Sequence, residues 1–126
     1  MANEVAPLFR PGRDITAQAT AAVTGGRFVG ISATRDATSG LIKVAHATAG
    51  ARAFGVASAD IASGAVGAIL RGGVVPVLAG GAITAGAQVE VGSDGKAIAL
   101  ASGIAVGIAV ETGSNNVPVF VALHGA

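Results

Sequence analysis

Glycine spacing decides what this chain can become. Twenty glycines and four prolines punctuate 126 residues, most of them a few residues apart. An average helix needs about twelve residues with few such breakers, and each glycine inside one costs roughly 0.5–1 kcal/mol relative to alanine. The 29 alanines favour helix, but glycine at this spacing works against them, and the 16 valines and nine isoleucines favour strands. The hydrophobic period agrees. Val117, Val119, Val121 and Leu123 alternate with Pro118, Phe120 and Ala122; Ile98 and Leu100 alternate with small residues; Val89 and Val91 flank Glu90. A period of two marks half-buried strands. Turn signals separate these runs at Ser39-Gly40, Gly72-Gly73, Gly80-Gly81, Asp94-Gly95 and Ser114-Asn115-Asn116. Asp94-Gly95 is the clearest hairpin among them.

The pattern predicts strands at Arg27–Ser32, Leu41–His46, Arg52–Ser58, Ala65–Leu70, Val74–Leu78, Ala87–Val91, Lys96–Ala101, Ile104–Glu111 and Asn116–Leu123. About nine short strands make a mainly β chain, a small barrel or sandwich. A helical turn is expected at Asp60–Gly64, with Asp60 as its cap. The segment from Ala22 to Ile31 aligns without gaps on Ala82 to Val91, and Ala53-Phe54-Gly55-Val56-Ala57 matches Ala105-Val106-Gly107-Ile108-Ala109. This is an internal duplication whose halves must pack together to bury their faces. The offset shortens from 60 to 52 residues between the two matches, which places an insertion at Ala33–Ser39. Residues 1–20 differ in kind. Pro7-Leu8-Phe9-Arg10-Pro11-Gly12 fits neither a helix interior nor a central strand. They read as an extended N-terminal arm with Leu8 and Phe9 as apolar anchors, or as a frayed terminus; residues 21–126 read as a single β domain.

The chain has no cysteine, so disulfides, thiolate metal sites and a cysteine nucleophile are absent. Its net charge is +1, without a basic run, and it has no Trp or Tyr, which argues against direct nucleic-acid binding. Mean hydropathy is high, at +0.69. However, the longest charge-free stretch, Gly72–Val89, contains Pro76 and five glycines, a poor lipid-facing helix. The N-terminus lacks the charged and apolar regions of a secretory signal. No membrane partner is expected.

Few residues suggest chemistry. His46 and His124 lie on different expected strands or near the terminus, without metal-ligand spacing, so no metal is expected. No nucleophile elbow and no phosphate loop occur; Gly95-Lys96 is followed by Ala97. The seven acids are dispersed, and Glu90 and Glu111 read as exposed strand acids. No catalytic residue and no cofactor is assigned. A small β-domain enzyme using Glu90, Glu111 or His46 stays as an alternative, as does an adhesion module, which the missing Trp and Tyr disfavour. Arginine outnumbers lysine six to two, which fits either interface use or a GC-rich coding sequence.

Taken in order, Phe9-Arg10-Pro11-Gly12-Arg13-Asp14-Ile15-Thr16, Ala22–Val29, Ala47–Ala57, Gly73–Val77, Ala85–Gly92 and Gly103–Ala109 resemble tailed-bacteriophage capsid decoration proteins, also called cement or head-stabilisation proteins. The resemblance spans nearly the whole chain. It implies a β-barrel or β-tulip-like domain that forms homotrimers on the outer capsid surface, with a host-cytoplasmic stage before assembly. It also implies an arm, here Leu8, Phe9, Arg10, Pro11 and Arg13, that contacts the major capsid protein. The implied role is structural and non-enzymatic.

Overall fold

The computed structural model describes residues 14–123. Its elements are β1 (Ile15–Ala19), β2 (Phe28–Ala33), β3 (Ile42–His46), β4 (Gly55–Ala57), β5 (Val66–Leu70), β6 (Val74–Leu78), β7 (Gln88–Val91), a 3-10 turn at Ser93–Gly95, β8 (Ala97–Ala99), β9 (Gly107–Ala109) and β10 (Pro118–Leu123). The mainly β expectation holds, and β2 to β10 fall on the stretches read from the sequence. The 3-10 turn joins β7 to β8 where the Asp94-Gly95 hairpin was expected, with both residues at positive φ, 55° and 73°.

Two expectations change. β1 lies within the segment read as an arm, yet it is a barrel strand. It pairs with β5 through Ile15↔Ile69 and Ala17↔Gly67, and in parallel with β3 through Ala17↔Ile42 and Ala19↔Val44. Residues 1–13, with Leu8, Phe9, Arg10, Pro11 and Arg13, lie outside the described residues, as does His124. The second change is at Asp60–Gly64, which forms no helical turn. Ile61 bridges Val23 in an antiparallel contact, and Asp60 Oδ1 accepts the Gly25 N–H at 2.8 Å. Asp60 therefore anchors a neighbouring turn and caps no helix.

The strands form a closed barrel, β1-β3-β2-β4-β5, and a second sheet, β6-β10-β9-β7-β8. The duplication is visible bond by bond. Phe28↔Val56 and Val29↔Gly55 recur as Gln88↔Ile108 and Val89↔Gly107. Ala17↔Gly67 recurs as Val77↔Val119, and Ala57↔Ile69 as Ala109↔Val121. Gly64 and Asn116, at matching turns, both take positive φ, 81° and 62°. The halves differ most in the β2–β3 connection, which is longer than the β7–β8 turn, where the insertion was expected.

Closure also differs. The three-residue parallel pairing of β1 with β3 shrinks in the second half to one bridge, Ala79↔Ala97. The first barrel occupies the opening. Gly26 O accepts the Leu78 N–H at 2.9 Å, Arg27 Nη1 donates to Asp94 O at 3.0 Å, and a Cβ on Gly95 would lie 2.5 Å from Phe28 O. Side chains follow the backbone. Val29, Val44, Ile61 and Ile69 fill the first barrel, whereas Phe28, Ala47 and Val56 join Val77, Val89, Val119 and Val121 in the second core. Phe28 neighbours an inward residue on β2, so it points out of its own barrel and plugs the next. Full burial of such a side chain contributes about 1.5–3 kcal/mol.

Candidate functional site

The ionisable groups read as candidates are each engaged in holding the fold. His46, on β3, accepts the Thr24 N–H on Nε2 at 2.9 Å, which leaves the proton on Nδ1 in the neutral ring. Burial, and then the nearby positive charge of Arg27, hold its pKa below the ordinary 6.5. Glu90, expected to be an exposed strand acid, is buried at 3% exposure. Its Oε1 accepts the Ala101 N–H at 2.8 Å, while Oε2 faces Gly50 and Gly103. Those two glycines lie where the halves touch: Gly50 N–H donates to Val91 O and Ile104 N–H to Gly50 O. Glu111 Oε2 accepts the Phe120 N–H at 3.0 Å on the surface. His46, Glu90 and Glu111 thus meet three separate backbone segments. Among the described residues no group of three or more His, Cys, Asp or Glu side chains could hold a metal ion.

The arginines divide similarly. Arg71 Nε donates to Phe54 O at 2.7 Å, and its guanidinium stacks over the Phe54 ring at 4.4 Å. Arg35 reaches Gly40 O, and Arg27 lies between the barrel and the second sheet. Where the barrel meets the second sheet, Thr24, Gly25, Gly26, Arg27, Pro76, Leu78 and Pro118 line an open depression of about 230 Å³. Its walls are mostly backbone, proline and leucine.

The feature that stands out is a surface. On the outer side of β6, β10 and β9, Val74, Pro76, Ile108, Val110, Pro118 and Phe120 are all exposed. Cross-strand pairing makes them contiguous: Pro76 faces Phe120, Ala122 joins Val74 to Ile108, and Val110 N–H donates to Phe120 O. Phe120 leaves 45% of its surface in solvent and Val74 54%. Contiguous apolar surface of this kind serves macromolecular contact. On β10, Pro118 and Phe120 take the exposed phase, opposite the buried Val119 and Val121. No helix among the described residues is long and apolar enough to cross a membrane.

Comparison with known proteins points the same way. A family model described as phage cement protein matches residues 9–123. The crystal structure of the head fiber gp8.5 N base in bacteriophage phi29 is similar at a TM-score of 0.74 and 25% sequence identity, covering 89% of this chain and 93% of that one. No curated protein matches the chain.

Proposed function

The chain belongs to the phage cement protein family and is a structural, capsid-associated phage protein; from that premise we propose that it binds the outer surface of the head and stabilises the shell. Its partner there is the major capsid protein, and its working form is a homotrimer. Residues 1–13 supply the binding arm. Prolines such as Pro7 and Pro11 do not fit a helix interior, and an extended arm would suit addition of a strand to a capsid element. Leu8 and Phe9 are its anchors, each contributing about 1.5–3 kcal/mol if fully buried. Arg10 and Arg13 offer bidentate donors to capsid carboxylates. The protein waits in the host cytoplasm before assembly and acts on the virion without catalysis, cofactor or nucleic acid.

The observation that carries this reading is the family match over residues 9–123, which includes Phe9, Arg10, Pro11 and Arg13. Undecorated heads mixed with the purified chain test it. Cosedimentation at saturable stoichiometry and a higher temperature of DNA release are expected. Heads that neither retain the protein nor gain thermal resistance would refute it.

A further inference from the structure

The duplication provides an internal control for reading the surface. Phe28, Val56 and Leu70 form an outward row across the first barrel, and the second half covers it. The matching row in the second half is Gln88, Ile108 and Ala122, of which Gln88 and Ile108 are exposed. Beside that row lie Val74, Pro76, Val110 and Phe120. Their counterparts in the first barrel are Asp14, Thr16, Ser58 and Ala68, which are polar or small. Apolar side chains have therefore accumulated on one repeat at positions where the shared backbone does not require them. The exposed apolar residues of this face present on the order of 500 Å², near the upper end for a monomer's largest patch and approaching the ~800 Å² per partner of a standard interface.

We propose that the outer face of β6, β10 and β9 is the docking surface for a second copy of this chain, and that a β-barrel of the neighbouring copy covers it. The inference rests on the homomeric assembly proposed above and assigns the surface that makes it. Within the chain, the equivalent row of the first barrel is already covered by the second sheet, which repeats the barrel's strand pairing. Among the described residues the face also carries no free charge; its flanking acid, Glu111, is bonded by the Phe120 N–H. Residues near a symmetry axis meet their own counterparts, so a charge there would face a like charge. An apolar, charge-depleted face is characteristic of contacts between identical subunits, whereas non-obligate interfaces are about as polar as ordinary surface.

Light scattering of the full chain over a dilution series, alone and with undecorated heads, tests this. Val110→Asp and Phe120→Asp are each expected to weaken self-association about 100-fold while keeping the far-ultraviolet spectrum of the natural chain. Ser58→Asp, at the first-barrel counterpart of Val110, is expected to stay assembled. Should an aspartate variant fail to fold, Val110→Ser and Phe120→Ser give the same reading with a smaller effect. Unchanged assembly of the face variants overturns the inference, and so does an equal loss in Ser58→Asp. Variants that assemble but no longer bind heads also overturn it, because the face then meets the capsid and the proposed function stands. A natural chain that is single both in solution and on heads overturns it as well. One that assembles without binding heads refutes the capsid role and leaves this interface intact.

Discussion

Gly103 has no room for a side chain. A Cβ there would overlap Glu90 Oε2 and lie 2.6 Å from Gly50 Cα, which is backbone and cannot step aside. Gly103→Ala is expected to lower stability by about 1–3 kcal/mol, read from the urea midpoint. Nothing local announces this crowding: Glu90 sits in an alternating strand and reads as exposed until the distant glycines close over it. His46 makes a pH-dependent contribution. Its folded pKa is below 6.5, so the unfolded chain takes up the proton first as pH falls. Stability supplied by the neutral ring is complete above about pH 6.5 and declines as pH drops from there towards the lowered folded value. Urea midpoints at pH 7.5 and 5.5 are expected to differ less in His46→Gln, whose side-chain oxygen can still accept the Thr24 N–H. Asp36 behaves oppositely. The Ser39 backbone N–H, chiefly, holds its pKa below 3.8, so its contribution is present above that value and is lost only as pH falls below it.

Among the elements, strands built of alternating Val and Ile announced themselves, and β1 did not. Ile15, Ala17 and Ala19 are buried in alternation with Thr16 and Gln18, but two of the three are alanines, a weak signal directly after a proline-rich run. β1 also pairs with distant strands, one of them in parallel, so no local turn reveals it. Its position gives the arm a firm inner limit. Removing Met1–Arg13 takes away none of the described barrel strands, and Ile15↔Ile69 lies beyond the cut. The truncated protein is expected to keep the circular dichroism spectrum of the full chain and to lose head binding. Normal head occupancy by the truncated protein would move the binding site onto the β domain. The misplaced helical turn at Asp60–Gly64 has a similar cause. An aspartate before Ile61-Ala62-Ser63 does suit a cap, but its carboxylate was claimed by Gly25, 35 residues earlier.

At the scale of the molecule, the repeat was legible because Ala22–Ile31 and Ala82–Val91 keep one register, but the way the halves join was not. The clue lay in a mismatch: Phe28 stands where the second copy has Gln88. An aromatic residue on the outer phase of a barrel strand needs a cover, and the second half provides it. Phe28→Ala is expected to cost about 3–5 kcal/mol, and amide exchange should quicken in β6 and β8 as well as in β2. Faster exchange confined to β2 would mean that the halves are stabilised separately. The unequal connections carry a further consequence. Both repeats build the same sheet, one with a long link between β2 and β3 and the other with the tight turn at Ser93–Gly95. The long link is exposed and organised by its own aspartate, with Asp36 Oδ2 accepting the Thr38 and Ser39 N–H groups. The scaffold thus accepts two lengths at one site, and each doubling of a flexible loop costs only about 0.6 kcal/mol. A foreign peptide grafted between Thr38 and Ser39 should therefore leave the melting temperature within a few degrees of the natural chain's, turning each bound copy into a display post on the particle that carries it.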